Sequence, residues 1–297
     1  MSHEVSTVGD EQINTTPAEG STDKAVIQRT DQTLDRLESL QEQLISEPSV
    51  EDLETSGAIH QPRELNYPLP ADFLLSVVVP VYNERSTICR IVGSVFALPL
   101  PLEVIAVDDG STDGTRDLLE ELERQHPRLQ VIYQACNRGK GNALRRGLAA
   151  AKGSVVIVQD ADLEYDPRDI PAVIEPLVRG EADVVYGSRF LQRRWSGSSA
   201  VHRLGNRLLT TASNLATGWK LTDMETCYKA ISREVLSKIE LEQDGFGFEV
   251  ELTAKLARQD VRVVERPISY DGRGWDEGKK IGWRDAIHAM YCIVRYW

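Results

Sequence analysis

From residue 74 onward the chain alternates short apolar runs with longer stretches of helical periodicity. The runs are LLSVVVP (74–80), LEVIAVDD (102–109), LQVIYQ (129–134), SVVIVQD (154–160) and ADVVYGS (182–188). Short continuous runs of Val, Ile and Leu, without polar alternation, predict strands buried on both faces. Between them lie an amphipathic stretch ending near Ala97, then TDGTRDLLEELERQ, KGNALRRGLAAAK and RDIPAVIEPLVRG, each long enough for a crossover helix. That order predicts an α/β fold: a mostly parallel, Rossmann-like sheet with helices on both faces.

The N-terminal quarter reads differently. Residues 1–23 are rich in Ser, Thr, Glu and Gly and predict a disordered tail. Residues 24–46 carry Val26, Ile27, Leu34, Leu37, Leu40, Leu44 and Ile45 at roughly helical spacing. This fits a short helix docked on its own domain, or a brief coiled coil for self-association. Four prolines and no periodicity mark 47–73 as a linker. The expected division is therefore an acidic tail and linker over 1–72 and a catalytic domain over 73–297.

Charge follows the same division. Residues 1–75 hold fifteen acids against Lys24, Arg29, Arg36 and Arg63, which leaves 31 acids and 30 bases for the remainder. The net charge of −12 belongs to the tail, and nothing in it predicts a nucleic-acid partner. The four cysteines are widely spaced, without a CxxC pair, as in a reduced cytoplasmic protein. The first twenty residues do not read as a secretory signal. No apolar run approaches the roughly 20 residues that span a bilayer. A cytoplasmic protein, peripheral at the membrane surface at most, is the expectation.

In a parallel sheet, ligands bind beyond the carboxyl ends of the strands. Here those ends carry Pro80-Val81-Tyr82-Asn83-Glu84, Asp108-Asp109-Gly110-Ser111, Asp160-Ala161-Asp162 and Gly187-Ser188-Arg189. In QDADLEYDP, acids stand at every second position: Asp160, Asp162, Glu164 and Asp166. One such Asp is an ordinary helix cap. Two together raise one another's pKa unless a cation lies between them. Mg²⁺ or Mn²⁺ suits such a pair, because these ions take one or two carboxylates and fill their other positions with water and phosphate. Glu164 would assist, and Asp166, before Pro167, would only start the next helix. Tyr82 could stack on a base, and Glu84 or Asp109 could accept from base or ribose, although VDDGSTDG also reads as a plain turn and cap. NRGKGNALRRG is not a Walker loop; its glycines suit either a close ligand or simple capping. Arg189, Arg193, Arg194, Arg203, Arg207, Arg273, Lys279 and Lys280 supply positive charge for phosphates.

SVVVPVYNE, VDDGSTDGT, QDADLEYDP and GSRF, in this order, resemble the family 2 glycosyltransferases of GT-A fold. DMETCYKAISREVL, FEVELTAK and PISYDGRGWDEGKKIGWRDAI are similar to the branch of the dolichyl-phosphate mannose synthases and bacterial polyprenyl-phosphate sugar transferases. The resemblance covers about 74–297. It implies that Pro80, Tyr82, Glu84, Val107 and Asp109 hold the nucleotide of a nucleotide sugar. It further implies that Asp160, Ala161 and Asp162 contact donor and metal with Glu164 nearby, and that Arg189 and Lys280 contact phosphates. Arg203, Arg273 and Lys279 are the acceptor-phosphate candidates. Asp162, Arg189 and Asp223 are the candidates for the transfer step. Some relatives have an amide at the Glu164 position, and others a D-x-x-S-G-F stretch in place of DMETCYK.

The implied reaction is inverting, metal-dependent transfer from a UDP- or GDP-sugar. A polyprenyl or dolichyl phosphate acceptor is already ionised and needs positioning, whereas a sugar hydroxyl needs a base, for which Asp223 is the candidate. A non-catalytic nucleotide-sugar-binding module is the rival from another class. The C-terminal GWRDAIHAMYCIVRYW suits an interfacial helix or one packed on the body, and a membrane partner subunit is a further route to a lipid.

Overall fold

The computed structural model describes residues 65–191, 200–245, 247–272 and 283–296. The segment 24–46, Arg193, Arg194, Arg273, Lys279 and Lys280 lie outside them. The elements run β1 (Leu75–Val81), α1 (Ile88–Phe96), β2 (Leu102–Asp108), α2 (Thr115–Gln125), β3 (Leu129–Tyr133), α3 (Lys140–Ala150) and β4 (Val155–Val158). A turn of 3₁₀ helix (Pro167–Asp169) leads into α4 (Ile170–Val178) and β5 (Val184–Ser188). Then come α5 (Ala200–Thr217), β6 (Lys229–Ser232), α6 (Arg233–Leu236), α7 (Phe248–Ala257), β7 (Val263–Pro267) and α8 (Trp283–Tyr296).

These strands make one sheet in the order β3-β2-β1-β4-β6-β5-β7. β1 pairs parallel with β2 and β4, so that Leu75 lies opposite both Leu102 and Val155. Val77, Val78, Val79, Val104, Ile105 and Ile157 are completely buried, the burial expected of strands covered on both faces. All five apolar runs are strands, in a mostly parallel α/β sheet.

Two strands have no counterpart in the apolar pattern. β6 is only Lys-Ala-Ile-Ser, yet it inserts between β4 and β5, antiparallel to both. Its Lys229 is buried; the ammonium donates to the Thr226 carbonyl and lies 5.3 Å from the Tyr186 ring centre. A lysine in a central strand defeats a hydrophobicity reading, because burial is made tolerable by a neighbouring carbonyl and a ring from β5. β7 is the outer strand beside β5 and is only half-buried.

The core also reaches back beyond the expected boundary at 73. Tyr67 is buried, donates from Oη to the Pro171 carbonyl at 2.7 Å and lies beneath the Arg179 guanidinium. The last residues assigned to a linker are therefore part of the packed unit.

Candidate active site

Two rim loops interlock. Asn83, at φ 54°, takes a left-handed conformation that Asn tolerates better than most residues. Its Oδ1 accepts from Thr112 N at 2.9 Å, and its N donates to Ser111 Oγ at 3.0 Å. Glu84 N donates to Thr115 Oγ1, and the buried Glu84 carboxylate accepts from Thr87 Oγ1, each at 3.0 Å. The PVYNE and DDGSTDGT segments thus form one rigid ledge over β1 and β2.

The two adjacent aspartates divide their work. Asp108 is fully buried, paired with Arg116 at 2.6 Å and capped by Ser111 N. It holds the loop and is not displayed at the rim. Asp109 accepts from Arg138 N at 2.7 Å and Gly139 N at 2.8 Å, which ties the ledge to the start of α3. Burial raises its pKa, offset in part by those two N–H groups. Gly110 (φ +76°) has no room for a side chain: a Cβ would lie 2.6 Å from the Cys136 carbonyl carbon. Pro80 and Tyr82 are half-buried at the end of β1, whereas Val107 is completely buried within β2 opposite Pro80.

The four acids after β4 each find a separate partner. Asp160 Oδ1 lies 2.9 Å from Lys140 Nζ, and burial together with this carboxylate holds the Cys227 thiol pKa well above its usual value. Asp162 Oδ1 accepts from Glu164 N at 3.2 Å across a tight turn in which Leu163 adopts φ 65°. Glu164 Oε2 accepts from Tyr270 Oη at 2.7 Å. Asp166 caps the 3₁₀ turn through Arg168 N at 3.0 Å and pairs with the Arg168 guanidinium. Ala161 is buried between the two aspartates.

Lys140 is the residue that the sequence did not single out. It is the first residue of α3, where a cation opposes the helix dipole, and no acid offsets it in that first turn. A lysine so placed is itself a signal of a specific partner. Its Nζ has two: Asp160, and Glu249 Oε1 at 3.5 Å. Burial alone would lower the ammonium pKa, but Asp160, Cys227 and Glu249 outweigh it and hold the pKa well above the usual value. The neighbouring glycines serve this placement. A Cβ on Gly139 would lie 2.4 Å from the Asp244 carbonyl oxygen, and one on Gly141 2.4 Å from that of Gln243. The α3 N-terminus is wedged against the 243–245 backbone.

Arg189 and Asp223 form a buried bidentate pair, Nε–Oδ2 2.7 Å and Nη2–Oδ1 2.8 Å, with Asn206 Nδ2 adding a third bond at 3.0 Å. Burial would raise the Asp223 pKa; the guanidinium overrides this and holds the carboxyl below its ordinary value. Asp223 thus braces Arg189, and a carboxylate stabilised in this way as the anion has little drive to take a proton. Arg189 also lies 5.1 Å from the Tyr270 ring centre, linking it to Glu164. Arg203 is exposed on α5, the helix that supplies Asn206. Glu251 is a fully buried structural anchor, accepting from Glu242 N and Gln243 N at 2.8 Å and pairing with Lys255.

Glu225 is a second residue outside the sequence reading. Burial, reinforced by the Glu249 charge and opposed by Lys229 and Arg189, pushes its pKa up to about 7. One buried oxygen on each of Glu225 and Glu249 has no hydrogen-bond partner. The folded protein then holds a proton on Glu225 that the unfolded chain releases near pH 4.5. Stability is unpenalised below that value and falls as pH rises toward 7. Glu225→Gln removes the penalty. We expect the variant to gain about 1–3 kcal/mol at pH 8 and almost nothing at pH 4.5, read from urea midpoints at both pH values.

Among the described residues, no three His, Cys, Asp or Glu side chains converge into an all-protein metal cage. The oxygen donors of Asp160 and Asp162 fit a hard divalent ion that keeps water and phosphate in its remaining positions. An interlocked ledge and an acidic turn thus stand at the carboxyl rim of a mostly parallel sheet of GT-A type. Residues 76–240 match the family described as "Glycosyl transferase family 2", and the chain belongs to this family of glycosyltransferases. It is 32% identical over 236 residues to the polyprenol monophosphomannose synthase of Mycolicibacterium smegmatis, covering 74% of this chain and 85% of that one. It is 30% identical to glycosyltransferase AglJ of Haloferax volcanii, covering 68% of this chain and 64% of that longer relative. The fold is similar to the glucosyl-3-phosphoglycerate synthase of Mycobacterium tuberculosis, crystallised with Mn²⁺, UDP and glucosyl-3-phosphoglycerate. There the TM-score is 0.58 at 24% identity, over 76% of this chain and 80% of that one.

Proposed function

We propose that this glycosyltransferase moves a sugar, with inversion, from a UDP- or GDP-sugar to the phosphate of a polyprenyl or dolichyl lipid. The ledge of Pro80, Tyr82, Glu84 and Asp109 would receive the nucleotide, and Asp160 and Asp162 would hold Mg²⁺ or Mn²⁺. Such an ion, when bound, screens the charge that builds on the departing diphosphate. Arg189, fixed by Asp223, points a guanidinium at the same rim for a phosphate group.

The observation that carries the acceptor assignment is the Arg189–Asp223 pair. Asp223 is engaged by the guanidinium, and this clamped cation supports an acceptor already ionised and in need only of orientation. The relative named as a polyprenol monophosphomannose synthase supports the same class. The surface supports it too. Leu204, Leu208 and Leu215 on α5 are 60%, 59% and 82% exposed. At about 100° per residue they fall within roughly 40° of one another. This helix contains no acid, while Arg203 and Arg207 stand exposed beside the leucines. Met290, Tyr291 and Val294 are exposed on α8. Apolar side chains flanked by arginines suit an anionic lipid surface. No helix among the described residues is long and apolar enough to cross a membrane.

A hydroxyl acceptor is the second reading, favoured by Glu225, whose pKa near 7 would suit a general base. One assay separates the two. Full-length protein, Mn²⁺ or Mg²⁺ and a panel of UDP- and GDP-sugars are offered polyprenyl phosphate in anionic vesicles, or soluble sugars. We expect product only on the lipid phosphate, and protein floating with the vesicles. Product only on a soluble sugar overturns the acceptor assignment.

A further inference from the structure

We propose that Lys140 is the protein's own stand-in for a cation at the acidic turn, holding Asp160 when no metal is bound and making metal capture depend on a nucleoside diphosphate arriving with it. The inference rests on the reading of Asp160 and Asp162 as the metal-binding pair and adds a residue that opposes the metal.

Lys140 Nζ is 2.9 Å from Asp160 Oδ1, so the first aspartate of the turn is already neutralised. The lysine is held at its backbone and at its ammonium. Gly139 and Gly141 seat the α3 N-terminus against the 243–245 backbone. Asn142 N and Nδ2 bond to Asp244 at 3.1 and 2.9 Å, and Arg145 pairs with Asp244. Glu249 Oε1, 3.5 Å from Nζ, holds the ammonium from α7. A divalent ion approaching the aspartates therefore meets a fixed positive charge on the same carboxylate. At an effective dielectric of about 20 or more, that repulsion weakens binding of a free ion by at least about tenfold. A diphosphate brings charge of its own and offsets it. The arrangement also answers how the apo protein tolerates carboxylates side by side.

Mn²⁺ binding to the full chain, followed by electron paramagnetic resonance, tests this without any turnover. The measurement is made with Mn²⁺ alone and with added UDP or GDP. We expect wild-type protein to bind Mn²⁺ weakly alone and more tightly with one of the nucleotides. Lys140→Met should bind free Mn²⁺ at least about tenfold more tightly, with the gap narrowing when the nucleotide is present. Lys140→Arg, which keeps the charge, should behave as wild type. Glu249→Gln should shift in the opposite direction, because it leaves the ammonium wholly to Asp160. A merely structural salt bridge would loosen binding in both variants. Free Mn²⁺ binding that is unchanged or weaker in folded Lys140→Met overturns the proposal. Should that variant not fold, tighter or unchanged binding in Glu249→Gln overturns it. A wild-type protein that binds no Mn²⁺ with either nucleotide overturns the metal reading itself, a failure distinct from that of Lys140.

Discussion

Asp162→Asn is expected to lower sugar transfer by about 10²–10³-fold while leaving the fold intact. The Asp162 oxygen accepts from Glu164 N across the turn, and an asparagine carbonyl can make that bond equally well. Leu163 keeps its left-handed conformation for the same reason. What the variant loses is the negative charge, and with it a ligand for a hard cation. Steady-state rates at saturating donor read the loss. A thermal-shift series with UDP or GDP, with and without Mn²⁺, separates site from fold: the wild type gains stability with nucleotide and metal together, and the variant does not. A variant that transfers sugar at more than a tenth of the wild-type rate would show that the second aspartate of the turn is not where the chemistry depends on charge.

The second large effect concerns Arg189. Its side chain is 12% exposed and that of Asp223 is completely buried, so Arg189→Ala strands a carboxylate in the interior. Breaking such a pair from one side costs about 3–5 kcal/mol, because the remaining buried charge loses its cationic partner. Replacing both, as Arg189→Met with Asp223→Leu, removes the stranded charge and should restore most of that stability. It should not restore transfer, since no guanidinium then faces the rim. Denaturant midpoints of the two variants, set beside their transfer rates, separate the cation's structural work from its chemical work. A double variant that regains activity would remove Arg189 from the reaction.

Much of the sheet was legible because its strands are covered on both faces. LLSVVVP, LEVIAVDD and SVVIVQD have no solvent side to interrupt them with polar residues, so each reads as an unbroken run. The turn after β4 was legible for a related reason: a strand that ends in Asp-Ala-Asp passes abruptly from apolar residues to acids. β6 was not legible. Lys229 breaks its pattern, and what makes that lysine tolerable is the neighbouring Thr226 carbonyl and the Tyr186 ring of β5. Nor could the work of Asp108, Asp109 and Asp223 be told apart in one dimension. All three are acids in polar segments, yet Arg116, two backbone N–H groups and Arg189 give them three different tasks.

By itself, then, the sequence determined the α/β class, the first five strands along the chain, and the need for positive charge beside Asp160 and Asp162. These follow from local periodicity and composition, which act over a few residues. Only the tertiary structure decided where that charge comes from within the chain. Lys140 lies 20 residues before Asp160 and Glu249 lies 89 after it. Their meeting depends on crossover connections and on two glycines that let α3 approach the 243–245 backbone, a contact set by long-range packing and invisible to any local pattern.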